Sequence, residues 1–242
     1  MSPATLAFLV LTAPAAPPGP PPAAPPTAPQ APADSFQPDP AWKALGPSLW
    51  FDRKERTLVL RARVVLREGP LEHLLCFKGT KEHEAILLTP AAPRLIHAGL
   101  LLTGAVPGHP VRFLPKFEPP TGTPIAITLV WDEAGKTRRA DARDWVFDER
   151  KKVPLSIDWV FAGSELVPDP NAKQPYYAAD DGDLITVANF ASATLDLPFA
   201  STADDTGRSF VARVEQIPPR GTGVTMFLRP RKAAPPLPPG AP

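Results

Sequence analysis

The sequence predicts a mostly β (α+β) domain, and three observations carry that expectation. Apolar runs of strand length recur through the middle of the chain, turn clusters of Gly, Pro, Asp and Lys separate them, and only residues 93–103 change to helical spacing. Of the 36 prolines in 242 residues, 13 fall in the first 40 positions, and another cluster occupies 230–242. Proline lacks an N–H and fixes φ, so neither end can build a helix or an inner strand. The folded part is therefore expected over residues 41–229, which is long enough for a real core.

Residues 4–12, ATLAFLVLT, are a short apolar run followed by Ala13-Pro14-Ala15. That is the pattern of a secretory signal with a small-x-small cleavage site, although no Lys or Arg precedes the run. It is too short to span a bilayer. A signal peptide is expected over 1–16, with a periplasmic or secreted location. Residues 17–40 read as a proline-rich, disordered spacer in extended polyproline conformation, and 230–242 as a disordered tail.

Within the folded part, Leu58, Leu60, Ala62 and Val64 alternate with Val59, Arg61 and Arg63, a period of two that predicts a half-buried strand. Two apolar runs follow, Leu71–Phe77 and Glu84–Thr89, around the turn Lys78-Gly79-Thr80-Lys81, and the spacing predicts a type II′ hairpin. Residues 93–103 predict a helix with Pro93 in its first turn and Gly104 just past its end. Strands are expected at Ile125–Trp131 and around Trp145. Trp131, Trp145 and Trp159 read as core.

The second half repeats part of the first. PPTGTPI at 119–125 and PPRGTGV at 218–224 share PPxGT before a strand, with Leu129 and Leu228 in register. EAILLT followed by the 93–103 helix also matches DLITVANF followed by a short helical segment at Ala191–Leu195. The chain reads as two similar halves.

All four histidines (His73, His83, His97, His109) and the only cysteine, Cys76, lie within residues 71–109. In the expected hairpin Cys76 faces His83, and opposed residues have Cβ atoms about 5 Å apart. A thiol beside imidazole and ammonium groups has a lowered pKa, so the predicted catalytic set is Cys76, His83, Lys81 and Glu84. The competing reading makes Cys76 a small buried apolar residue. Spacing argues against a metal at the His/Cys group: His73 and Cys76 fall on opposite faces of a strand, His97 on a helix and His109 in a turn. Asp180-Asp181-Gly182-Asp183 offers carboxylates but lacks the pattern of an EF-hand loop. No metal or cofactor is predicted.

A formal charge of +1 gives no electrostatic case for nucleic acid or for an anionic membrane surface. One cysteine excludes a disulfide framework and a Cys₄ cluster within the chain.

Several phrases together resemble the YdjY domain: TLVLRARVVLREGPLEHLLCFKGTKEHEAIL, IHAGLLLTG, DWVFAGS, LITVANFASATLDLP and IPPRGTGVTMFLRP, over about residues 50–229. The resemblance implies an exported bacterial protein of the kind frequent in planctomycetes. It implies no particular reaction, and the iron–sulfur label carried by some members does not suit one cysteine. The function expected is that of an exported binding or scaffolding module of the cell envelope, with an envelope protein as partner. The alternatives are a thiol-dependent enzyme or redox protein using Cys76 with His83, and a metal-binding protein using the His/Cys group.

Overall fold

Alternation of apolar and charged side chains gives TLVLRARV two unlike faces, and it forms strand β1 (Thr57–Val64). Leu58, Leu60, Ala62 and Val64 are buried, while Arg63 stands in solvent. Seven more strands form a ring with β1: β2 (His73–Phe77), β3 (Ala85–Thr89), β4 (Pro124–Glu133), β5 (Trp159–Phe161), β6 (Asp183–Thr186), β7 (Leu195–Asp196) and β8 (Gly223–Pro230). The strands Lys43–Gly46, Leu49–Asp52 and Lys136–Asp141 extend the same eleven-stranded sheet beside it. Around the ring the order is β1-β8-β4-β5-β7-β6-β2-β3, and β3 pairs again with β1. The ring is thus a closed, eight-stranded barrel. Closure removes the unpaired edges that an open sheet exposes. These facts come from a computed structural model, which describes residues 36–168, 170, 174–201 and 210–231. The expected signal peptide, most of the spacer and nearly all of the tail lie outside the described residues. The last residues of the expected spacer do join the fold: the Phe36 ring packs on Trp50, with centroids 5.4 Å apart, under the Arg61 guanidinium.

The pairings of β1–β4 recur in β5–β8. β1–β3 and β5–β7 are antiparallel, β2–β3 and β6–β7 are parallel, and β1–β8 matches β5–β4. Each of the pairs β2–β6 and β4–β8 joins a strand to its own counterpart. The expected duplication is therefore present, and its twofold relation passes through those two pairs. The PPxGT match holds, since it leads into β4 and β8. The other match needs correction: EAILLT contributes β3, whereas DLIT is β6, the counterpart of β2. Both are short runs of an acid, apolar residues and a threonine, so composition does not tell them apart. The helical segment expected at Ala191–Leu195 is a turn running into β7.

A second correction concerns the hairpin. β2 and β3 lie side by side but run parallel, with Leu75 paired to Leu87 and Cys76 to Leu88. The connecting loop turns at Gly79, where Thr80 Oγ1 donates to the Phe77 carbonyl, and again at Glu84, whose N–H donates to Lys81. It returns the chain to the start of β2, where the Glu84 carbonyl accepts from the N–H groups of Glu72 and His73. Residues His73–Cys76 are buried without alternation, which suits a strand covered on both faces rather than one arm of a half-solvated hairpin.

Helix α1 (Pro93–Thr103) follows β3 and ends as its sequence dictates, with Gly104 at φ 88° donating its N–H to Leu100 and Leu101. Gly99 lets the helix lie against Leu58 and Leu45, and a Cβ there would run into Leu58. Gly99→Val should accordingly overpack this contact and destabilise the domain by about 1–3 kcal/mol, measured by denaturant unfolding. A change below 0.5 kcal/mol would show that the helix can step away from the barrel. Trp145 and Trp159 are buried as expected, and Trp131 packs edge-on against Trp145. Trp145 ends a 3₁₀ turn, Ala142–Trp145, and the strand follows it at Val146–Asp148.

Candidate functional site

Where β2 meets β6, Leu75 pairs with Ile185, and the ladder is irregular on both sides of Ile185. His73 stands two residues before Leu75, and Asp183 two before Ile185, so the two occupy matching positions of the two halves. They touch: His73 Nε2 lies 2.8 Å from Asp183 Oδ1, and both side chains are buried. Ser192 Oγ donates to the other Asp183 oxygen. The Phe190 ring stacks on the imidazole, with centroids 5.3 Å apart and planes 19° from parallel. Ser192 and Phe190 come from the loop between β6 and β7. Its counterpart between β2 and β3 supplies Lys81 and Glu84. A ring nitrogen of His73 and one carboxylate oxygen each from Glu72 and Glu84 lie within 4.8 Å of one another. Lys81 Nζ sits 3.9 Å from Glu84 Oε1 and 5.9 Å from the centre of the Phe190 ring.

Burial alone would raise the Asp183 pKa, but hydrogen bonds from His73 and Ser192, with the positive charge of Lys81 nearby, hold it below the ordinary carboxylate value. Asp183 is therefore ionised at neutral pH and accepts a proton-bearing nitrogen. Held on Asp183 through Nε2, a neutral imidazole would be the Nε2–H tautomer, with its lone pair on Nδ1. That atom is fully buried and has no hydrogen-bond partner among the described residues. Leaving a buried acceptor unpaired costs about 1–3 kcal/mol. The arrangement is not that of a serine hydrolase. There the imidazole bridges serine and carboxylate, whereas here Ser192 reaches the carboxylate and the carboxylate reaches the imidazole. It does match a histidine metal ligand held from behind by a carboxylate.

The catalytic couple expected from the sequence is not formed. Cys76 pairs with Leu88, it is fully buried, and burial pushes its thiol up to about 11. His83 projects outward with a side chain 76% exposed, and its Nε2 is 3.7 Å from Glu84 Oε2. The parallel course of β2 and β3 is the reason, because it takes residue 83 away from Cys76. Lys81 and Glu84 do stand at a site, but beside His73. His97 is half-buried on α1 against Phe161 and Tyr177, with Nδ1 2.9 Å from the Tyr177 hydroxyl. His109 Nδ1 meets the carbonyl of Pro110. Asp180 pairs with Arg94, and Asp181 accepts from Tyr176. Only Asp183 of that acidic loop turns inward.

The barrel, but for its last residue Pro230, and both loops at the site lie within one matched span: the YdjY domain matches residues 49–229. The chain belongs to the YdjY domain family. No curated protein and no solved structure matches it. In this YdjY domain the matched span contains Glu72, His73, Lys81, Glu84, Asp183, Phe190 and Ser192. Local spacing groups His73 with Cys76 and the other histidines and gives no sign of Glu72; Asp183 stands out in the sequence only as one carboxylate of the 180–183 loop, not as the partner of His73. A signal was present: aligning the halves on His73-Leu74-Leu75 and Asp183-Leu184-Ile185, rather than on EAILLT, brings imidazole and carboxylate to matching places beside the axis. Among the described residues of this YdjY domain no helix is long and apolar enough to cross a membrane.

Proposed function

We propose that this YdjY domain binds one divalent transition-metal ion through Glu72, His73 and Glu84, and that it works as an exported, cell-envelope protein. The observation that carries the metal reading is the grouping of a His73 ring nitrogen with carboxylate oxygens of Glu72 and Glu84 within 4.8 Å; the buried Nδ1, without a hydrogen-bond partner among the described residues, supports it. A cation bound through Nδ1 would satisfy that lone pair. Imidazole with carboxylate oxygens suits zinc-like ions better than magnesium or calcium, which favour oxygen throughout. Three protein ligands leave a position for water or a further ligand, as catalytic and binding sites do and closed structural sites do not. Asp183, secured by Ser192, orients the imidazole. Export rests on ATLAFLVLT followed by Ala13-Pro14-Ala15.

Calorimetric titration of the full chain with Zn²⁺ tests the first half. One equivalent should bind, Glu84→Gln should weaken it at least about tenfold, and Asp183→Asn about 10–100-fold. At a hundred times Kd the ion should stabilise the fold by about 2.7 kcal/mol. No binding, or binding that neither variant weakens, overturns the metal reading. Export is tested separately by mass spectrometry of the native protein, where an intact Met1–Ala16 would exclude it.

A further inference from the structure

Six of the eleven large apolar side chains that stand exposed among the described residues fall within one stretch: Leu101, Leu102, Val106, Phe113, Leu114 and Phe117. The last four belong to a segment tied down along its length. Thr123 N–H donates to the Val106 carbonyl, Gly108 N–H to Phe161, and Thr121 N–H to His109. His109 N–H in turn donates to Thr121 Oγ1. Gly122, at φ 137°, lies so close to the Phe161 carbonyl that no Cβ fits there. Farther out, Arg112 and Glu118 exchange both backbone hydrogen bonds, at 3.0 and 2.8 Å, and their side chains form an ion pair at 3.0 Å. Beyond that neck is a closed tip, Phe113-Leu114-Pro115-Lys116-Phe117. The two phenylalanine rings pack at 6.2 Å, and Leu114 is 85% exposed. The backbone thus holds an apolar tip out in water on a braced stalk.

We propose that this tip docks the domain on an anionic lipid bilayer. Phe113, Leu114 and Phe117 enter the boundary between headgroups and acyl chains, while Lys116 meets the lipid phosphates. Arg112, tied to Glu118, marks the depth at which entry stops. Two arguments favour lipid over a protein groove. A stable protein interface takes about 20–30 residues from each side, and a tip of this size supplies a fraction of that. A bilayer needs no matching concavity, and apolar side chains flanked by long cations are the pattern of interfacial insertion. The near-zero net charge concerns long-range attraction, and Lys116 acts at contact.

The test is co-sedimentation of the full chain with phosphatidylcholine vesicles, with and without 30% phosphatidylglycerol. The parent should bind the anionic vesicles, and Phe113→Ser with Leu114→Ser should cut binding at least tenfold while leaving the melting temperature unchanged. Leu114→Trp should add a blue-shifted emission component on vesicle addition. Absence of vesicle binding overturns the proposal, and so does binding that the double variant leaves intact, since another segment then carries it. Self-association in ultracentrifugation that the double variant abolishes, without vesicle binding, assigns the tip to a second copy and overturns it equally.

Discussion

Asp196→Asn should gain on the parent protein by about 3 kcal/mol as pH rises from 4.5 to 8. Asp196 lies on β7, fully buried. Its Oδ1 accepts from the Thr186 hydroxyl at 2.8 Å, the Asn189 amide at 3.1 Å and the Leu197 N–H at 2.7 Å. These bonds favour the ionised form, but burial outweighs them and pushes the carboxyl up to about 7 from an ordinary 3.8. The folded state therefore keeps a proton that the unfolded chain has released. Stability from this group is complete below about pH 4, drains away as pH climbs towards 7, and stays level above that. Asparagine retains the oxygen that the three donors use. Its amide takes the place of Oδ2, which has no partner among the described residues, and leaving that amide unpaired costs about 1–3 kcal/mol at every pH. The parent should be the more stable protein at pH 4.5, and the gap should close or reverse at pH 8. Guanidinium unfolding of both proteins at the two pH values decides the matter. A stability difference that ignores pH would mean that Asp196 is ionised throughout.

Trp159→Ala should cost about 3–5 kcal/mol through the cavity it leaves. The ring is 1% exposed in the barrel core, and its Nε1–H donates to the Thr186 carbonyl at 2.7 Å. Losing that donor adds about 1 kcal/mol. Against a total stability of about 5–15 kcal/mol for a domain, the sum can unfold the protein at growth temperature. Trp159→Phe keeps most of the volume and should cost about 1–2 kcal/mol, which separates packing from the hydrogen bond. A cost for alanine below 1 kcal/mol would mean that the core collapses around the gap.

Elements with two unlike faces were legible in the sequence. β1 announced itself through Arg61 and Arg63 alternating with Leu60 and Ala62, and α1 through Pro93, its spacing and Gly104. β2 and β3 did not, because strands buried on both faces carry no alternation to set direction or register. Gly79-Thr80 was a true turn, but a local signal cannot say whether the chain next doubles back or crosses over. The same limit hid the site. Lys81 and Glu84 were singled out for a cysteine that turned out to face the core, while the partner of His73 lies 110 positions away. What could bridge such a distance was the repeat, and its strongest match, PPxGT, located β4 and β8 rather than β2 and β6.

The meeting of His73 and Asp183 at matching positions also bears on how such a barrel can be assembled. Were one half to close a barrel with a second copy of itself, the rotation axis would set every position beside it against its own twin, imidazole facing imidazole or acid facing acid. Like groups there either repel or share a proton. Covalent fusion of the halves lifts that restriction, because each copy can then drift alone. A carboxylate set behind an imidazole beside the axis is available only to a chain that has stopped being symmetric.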